Sequence, residues 1–442
     1  MIGGRLFPWL TAPAEYFALR RADRASPERL RRARKRRLAR MLHAARRSPY
    51  YAQWLPDRAA IDADPLAVLQ GLPVLDKAVI RAQGARVCTG LRRLGVRRNT
   101  SGGSTGEPAV FYQGAAYRRW TRAKKVLFDQ WAGVAPGASQ AHLWAAPGDN
   151  RRATRGLSAL VRRFRNVRIL DAYAMDPATM AGYLDELERD PPQLLLVYAE
   201  SGYQLARHAL AHGRRIEGIG AVMSSAGTLY PDMRTALEQA FAAPVFDRYG
   251  SREVGDVACE CAHHHGLHVS PLTHHVELLR EDGSEVGPGE VGRVVVTCLI
   301  NDVMPLLRYD IGDRAAWATA PCPCGRGWPL LEAVHGRSTD HVRGVNGASV
   351  YGAWLRHLLF DEAWIAQYQW EQATLEQLQL RLVPRADEGA PRERAAALEA
   401  RLLPALRERL GDSTVLSVEC VEAIPPSASG KHLYVISQLD ED

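Results

Sequence analysis

Hydrophobic positions along the chain follow two alternating periods. The runs VRIL (167–170) and QLLLVYA (193–199) are short and mostly apolar and read as buried strands, and GRVVVTCLI (292–300) reads as another strand in a more β-rich region. MAGYLDELERD and SGYQLARHALAHG instead repeat their apolar residues every three or four positions and predict helices. Alternation of the two patterns predicts α/β layers. From about Asp340 the texture changes. LEQLQLRLV alternates like a half-exposed strand, PRERAAALEARLLPALRERLG reads as a helix, and VLSVECVEAI alternates again. The chain is therefore expected to consist of a large α/β body at 1–338 and a small βαβ-type domain at 339–442. No internal repeat is evident.

Composition narrows the class. With 442 residues, 46% of them hydrophobic, the chain is long enough for two or three buried cores. No apolar run approaches the roughly 18–20 residues that span a bilayer. The start, MIGGRLFPWLTAPAEYF, has no positive leader before an apolar stretch, so a signal peptide is not expected. Seven cysteines, four of them in Cys-x-Cys pairs, suit a reducing cytosol and a metal better than a disulfide framework.

Much of the net charge of +8 sits between Arg20 and Arg47, within a helical basic segment of about 12–50. Leu30, Leu38, Met41 and Leu42 fall near helical spacing, so an amphipathic helix that packs its apolar stripe on its own domain is expected. A specific nucleic-acid partner is not expected, because aromatic interleaving and zinc-finger spacing are absent here. Weak peripheral contact with an anionic membrane stays open, and the sequence leaves the oligomeric state undetermined.

The first chemical motif is Asn99-Thr100-Ser101-Gly102-Gly103-Ser104-Thr105-Gly106-Glu107-Pro108, followed at once by the β-type run AVFY. Its glycines let the backbone approach a ligand closely, and its hydroxyls supply donors, which is what a loop cradling phosphate oxygens requires. It is not a Walker A loop, since no Gly-Lys-Ser/Thr follows. Downstream stand Tyr249-Gly250-Ser251-Arg252-Glu253, Arg308-Tyr309-Asp310-Ile311-Gly312-Asp313, Gly336-Arg337-Ser338-Thr339-Asp340 and Ser429-Gly430-Lys431.

In this order and at these separations the motifs resemble those of the adenylate-forming superfamily. The wording YGSREVG, MPLLRYDIGD, CPCGR and SGKHLYVIS is similar to the phenylacetate–CoA ligase-like branch, including proteins of capsule-polysaccharide loci. The resemblance covers about residues 40–442. It implies a body of two α/β subdomains plus a β-rich one, with a mobile α+β lid. It also implies a cytoplasmic ligase that converts a carboxylic acid to its acyl-AMP with ATP and Mg²⁺.

The resemblance assigns roles residue by residue. Thr100, Ser101, Gly102, Gly103, Ser104, Thr105 and Gly106 would grip the phosphates, and Glu253 would help hold Mg²⁺, a hard cation suited to oxygen ligands. Tyr249 would flank the adenine, with Ala226, Asp247, Gly250, Ser251 and Arg252 along the nucleotide. Asp313 would accept both ribose hydroxyls, and Arg337 would hold the ribose or phosphates. Lys431 would bridge acyl carboxylate and α-phosphate, neutralising charge as two anions meet. The chain departs from the family pattern at Glu107, where many relatives carry Lys, at Arg252, where many carry Thr or Ser, and at Thr339, which replaces an acid at the hinge and shifts the expected pivot to Asp340.

Cys259, Cys261, a run of histidines through His268, and Cys322-x-Cys324 offer thiolates and imidazoles, the ligands of tetrahedral zinc. The resemblance favours Cys261, His268, Cys322 and Cys324 around a structural Zn²⁺, with Cys259 as the alternative fourth ligand. Ser225, Ala226 and Gly227 match a segment that edges the acyl group. Small residues there leave room for a ring, so an aromatic acid is expected, with Trp144 and Tyr198 lining the cavity or lying in the core. Coenzyme A is the expected acceptor, with an amine as the alternative. A non-catalytic nucleotide-binding scaffold in a polysaccharide-assembly complex is a second class of reading; it gives no reason for Asp313, Glu253 and Lys431 to occur together.

Overall fold

The computed structural model describes residues 12–91, 94–100, 109–144, 166–172, 175–337, 341–359, 362, 364–385, 391–425 and 433–439. The chain forms two compact units. The first comprises Met1–Ile311 and Ala315–Val334, and the second comprises Gly312–Arg314 and His335–Asp442. The sequence put the change of texture a few residues later and gave no sign that Gly312–Arg314 would group with the C-terminal part.

The first unit opens with two helices, α1 (Pro13–Asp23) and α2 (Pro27–Ala45). The basic segment is thus broken once, at Ser26-Pro27. Ser26 accepts from the Arg29 amide (3.4 Å) as an N-cap, and proline suits the first helical turn, where its missing N–H costs nothing. Three short helices follow, Arg58–Ala63, Pro65–Gln70 and Lys77–Gln83. Strands β1 (Arg97–Thr100) and β2 (Val110–Gln113) pair antiparallel and lead into α3 (Ala115–Trp131).

The principal sheet then builds from β3 (Gln140–Leu143), β4 (Val167–Leu170), α4 (Pro177–Arg189), β5 (Leu194–Tyr198), α5 (Ala199–Ala211), β6 (Ala221–Ser225), α6 (Pro231–Phe241) and β7 (Val245–Ser251). It continues through β8 (Gly255–Glu260), β9 (Leu267–Val269), β10 (His274–Leu279), β11 (Val291–Cys298), β12 (Tyr309–Trp317) and β13 (Leu330–Arg337). The order across the sheet is β10-β11-β12-β13-β9-β8-β7-β6-β5-β3-β4, with β4, β3, β5, β6 and β7 parallel.

Layering explains the apolar runs. Alternate side chains of a strand point to opposite faces. Leu195, Val197, Val222 and Val245 pack with Leu184, Leu205, Leu237 and Phe241 from α4, α5 and α6. Leu194, Leu196, Met223 and Phe246 pack on the other face with Leu127, Phe128 and Trp131 of α3. A third core, around Tyr309, Val294 and Leu307, also takes the apolar face of α2 through Leu38, Met41 and Leu42.

The second unit pairs β14 (His341–Arg343) with β15 (Ser349–Tyr351), followed by α7 (Gly352–His357). Its larger sheet has the order β18-β17-β16-β19, formed by β16 (Ile365–Gln372), β17 (Gln377–Pro384), β18 (Val415–Cys420) and β19 (Val435–Ser437). Helix α8 (Pro391–Leu410) connects the parallel pair β17 and β18, the βαβ unit read from the sequence, and buries Leu398, Leu402, Leu406 and Leu410 at helical spacing. Among the described residues no helix is long and apolar enough to cross a membrane.

Candidate functional site

Register brings several expected site residues to one edge. In the parallel part of the sheet Tyr198 lies opposite Ser225, and Ser225 opposite Arg248, so the carboxyl ends of β5 and β6 are level and β7 runs on past them to Ser251. Ligands of open α/β sheets bind beyond such ends. Ser225 ends β6 and donates through Oγ to the Arg248 carbonyl (3.0 Å), which fixes the strand ends side by side. Ala226 then turns away with φ +61°, a strained conformation for alanine, and a Cβ on Gly227 would sit 3.3 Å from that of Ala199. Trp144, just past β3, and Tyr198 stack half-buried with ring centroids 4.0 Å apart.

The turn Ser251–Gly255 joins β7 to β8. Gly250 permits it, because a Cβ there would run into the Gly255 carbonyl oxygen, and Gly255 itself takes φ +78°. Ser251 Oγ accepts from the Glu253 amide (3.3 Å). The carbonyl of Arg252 accepts from Gln113 Nε2 (2.8 Å) and Asn99 Nδ2 (3.3 Å). Asn99 stands one residue before the loop end of the β1–β2 hairpin and Gln113 at its open end, opposite Arg97; the loop is the glycine- and hydroxyl-rich segment. The hairpin and the turn carrying buried Glu253 are thereby tied together.

On its far side the same turn is held from the core. His274 is fully buried and donates through Nε2 to the Val254 carbonyl (3.0 Å), so its Nδ1 is the acceptor. Buried Lys124 of α3 donates to Thr273 Oγ1 (3.0 Å) and lies 3.4 Å from His274 Nδ1. Burial lowers the Lys124 ammonium to about 8 and keeps His274 neutral, its pKa well below the usual value. Burial, then the charge of Glu260, raises Asp247 to about 7. Glu260 also accepts from the Asp247 amide (2.9 Å).

Sequence reasoning did not single out Gln113, His274 or Lys124. Gln113 is 139 residues from Arg252, and an isolated glutamine carries no local signal. In the RYDIGD motif, Arg308 is built into the fold: it pairs with Glu277 (3.2 Å) and donates to the Leu72 carbonyl (2.7 Å). Tyr309 is core, and Asp313 is half-buried on β12. Arg337 closes β13, but its side chain, the segment Ser101–Gly106, Thr339, Asp340 and Lys431 lie outside the described residues.

A second cluster lies at the end of β8 and β9. The ligand atoms of Cys261, His268, Cys322 and Cys324 all fall within 4.8 Å of one another. Cys261 Sγ is 3.6 Å from Cys322 Sγ, and Cys324 Sγ is 3.3 Å from His268 Nε2. Burial lowers the His268 imidazole to about 4, leaving it neutral with a lone pair for a metal, while burial raises the Cys261 thiol to about 12. Cys259, the alternative ligand, does not join this group. It is fully buried and packs in the apolar cluster with Phe246, Leu272 and Trp328. The loop also docks the N-terminal helices: Arg326 pairs with Asp23 (2.7 Å), and Trp328 Nε1 donates to the Ala22 carbonyl (3.0 Å).

The second unit matches the family model for the CapK C-terminal domain over residues 344–438. Over 377 residues, 85% of this chain and 81% of its relative, the protein is 23% identical to Protein CapK of Staphylococcus aureus. It is 36% identical to the phenylacetate-coenzyme A ligase of Thermus thermophilus over 104 residues, 22% of this chain and 23% of that one. The chain is thus similar in sequence to CapK and to a phenylacetate–coenzyme A ligase, and shares its fold with adenylate-forming ligases. Its fold is that of 2-hydroxyisobutyryl-CoA ligase, solved in the postadenylation state with R3-HIB-AMP: TM-score 0.74, 18% identity, 95% of this chain and 91% of that chain covered.

Proposed function

We propose that this protein joins a carboxylic acid to AMP and then passes the acyl group to coenzyme A. The observation that carries this reading is the tie between hairpin and turn. Asn99 and Gln113, on the two strands of the hairpin that carries the glycine- and hydroxyl-rich loop, donate to the one carbonyl that immediately precedes Glu253. The hairpin strands and the turn bearing Glu253 thus share one frame, which supports a role for the loop in binding phosphate oxygens and for the acid in holding a hard cation.

In the first step a carboxylate oxygen of the acid attacks the α-phosphorus of ATP. The bond to the bridging oxygen breaks and pyrophosphate leaves. In the second step the thiol attacks the acyl carbon, AMP departs, and the thiol proton passes to solvent. Glu253 is the residue to hold Mg²⁺, which when bound disperses the polyphosphate charge. Asp313 would accept the ribose hydroxyls, Tyr249 would flank the base, and Lys431 would stabilise the charge gathering at the α-phosphate. The half-buried Trp144–Tyr198 stack beside Ser225 and Gly227 supports an aromatic acid as the substrate.

Zinc at Cys261, His268, Cys322 and Cys324 belongs to the same reading. A tetrahedron of Zn–S bonds of about 2.3 Å has edges near ~3.8 Å, close to the 3.6 Å between Cys261 and Cys322. Four protein ligands leave no open position, so the role is structural.

The test is pyrophosphate exchange against a panel of carboxylic acids, with mass spectrometry of products with and without coenzyme A. Acid-dependent exchange and a thioester product are expected. Exchange with an amide product from an added amine would move the acceptor to an amine, and no exchange with any acid would overturn the proposal.

A further inference from the structure

Two rows of side chains cross the sheet on the face that α3 covers. The inner row is His142, Leu196, Met223 and Phe246, in register on β3, β5, β6 and β7. Its apolar members meet Leu127, Phe128 and Trp131 of α3. Alternate residues of a strand share a face, so the residues two further on form an outer row on the same side: Trp144, Tyr198, Ser225 and Arg248. That row begins with the Trp144–Tyr198 stack, is small at Ser225 and ends in a guanidinium.

The fold makes little use of this guanidinium. Arg248 is 4% exposed, and among the described residues the one acid within ion-pair reach is Asp256, whose Oδ1 stands 3.5 Å from Nε. Nε has no hydrogen-bond partner, and neither has Asp256 Oδ2. Arg308, comparably buried, shows what a structural arginine does: its Nη1 donates to the carbonyls of Gln70 (2.9 Å) and Leu72 (2.7 Å). A buried polar group without partners is costly, so an arginine kept in this state points to an acceptor from outside the chain.

The surroundings favour an anion. Lys124 and Lys125 of α3 join Arg248 against Asp256 and Asp129, which leaves one positive charge in excess. Burial pushes the Asp256 carboxyl up, but the charges of Arg248, Lys125 and Lys124 outweigh it and hold it below its usual value. Burial raises Asp129 to about 6, against the charge of Arg248. Burial, then the charges of Lys125 and Arg248, lowers His142 to about 3, so the imidazole is neutral.

Position decides which anion. His142 belongs to the inner row, so the groups around Arg248 lie behind the strand ends, whereas a nucleotide on an open α/β sheet lies beyond them. The reacting carboxylate must meet the nucleotide, and Arg248 therefore faces the other end of the acid. A carboxylate matches the planar fork of a guanidinium. Taking this strand edge as the seat of the acid to be adenylated, as proposed above, we infer that the substrate is a dicarboxylic acid whose second carboxylate is bound by Arg248.

The test compares matched acids, benzoate against isophthalate and terephthalate, and hexanoate against adipate. Pyrophosphate exchange is measured for each, together with calorimetric titration of each acid in the presence of α,β-methylene-ATP. A dicarboxylate should exceed its monocarboxylate about 10–100-fold in kcat/KM, chiefly through KM, and bind more tightly by a similar factor. Arg248→Met/Asp256→Asn removes both charges of the pair, so no lone ion is left buried, and should bring that ratio to about one. Arg248→Lys, which keeps the charge without the fork, should retain part of it. A merely structural Arg248 would affect all the acids alike and leave the ratio unchanged in a folded double variant, which would overturn the inference. Monocarboxylates used as well as every dicarboxylate, or no dicarboxylate bound, would overturn it too while leaving adenylation standing. Arg248-dependent binding of a dicarboxylate without any exchange would uphold the site and count against adenylation instead.

Discussion

Asp313 sits half-buried on β12, at the end of a motif whose Arg308 pairs with Glu277 and whose Tyr309 is core. A closed site that loses the acceptor of a ribose hydroxyl pays about 1–3 kcal/mol per unpaired group. Asp313→Ala should therefore weaken ATP binding by about 10–100-fold while the melting temperature holds, as calorimetric titration would report; unchanged affinity removes Asp313 from the site. Asp247 gives a pH signature. Its folded pKa of about 7 lies above the unfolded carboxylate value, so the protonated form is favoured in the fold. The stability this supplies is complete below about pH 4 and is lost as pH rises through 7. Asp247→Asn should match wild type near pH 4 and exceed it increasingly up to pH 8, by on the order of 3 kcal/mol in urea unfolding. A gap that does not grow with pH would remove burial of the ionised Asp247 as a destabilising feature.

Among the elements, the cluster of Cys261, His268, Cys322 and Cys324 has the most to hold. It joins the β8–β9 hairpin to the loop between β12 and β13, and that loop in turn anchors α1 through Asp23 and Ala22. Protein purified without added metal should contain about one zinc per chain by elemental analysis. Removing it with a strong chelator, or replacing Cys322 by Ser, should lower the melting temperature by about 5 °C or more and raise amide exchange in α1. Metal-free protein that is fully folded and active would sink the assignment. The elements themselves were largely legible. β4, β5, β11, α8 and β18 fall where the hydrophobic periods put them, because burial on both faces or one face writes its period into the chain. The break at Ser26-Pro27 was missed, because the charge run reads as one helix when hydropathy alone is followed.

Across the whole molecule, the proposed chemistry divides between the units, with Lys431 in the C-terminal one and the clamped Glu253 turn in the other. Loss of one charge-stabilising donor slows a step by about 10²–10³. Lys431→Ala should cripple acyl-AMP formation to that degree, yet transfer the acyl group from synthetic acyl-AMP at near the wild-type rate. Paired single-turnover assays on one preparation decide it; equal failure of both halves in a folded protein refutes the division of labour. The sequence by itself determined the α/β class, the small βαβ unit, the order of the motifs and the thiol-rich pairs, since each depends on residues close together in the chain. Only tertiary structure decided which of the ambiguous residues share a place. It selected His268 over Cys259 for the thiol cluster, because β9 brings the histidine to Cys324 while Cys259 packs with Phe246 and Trp328. It also put Gln113 and His274 on the carbonyls either side of Glu253, through contacts 139 and 20 residues long. Hydrogen bonds between such distant positions leave no periodic trace, because what places the partners is the register of strands and not the spacing of residues.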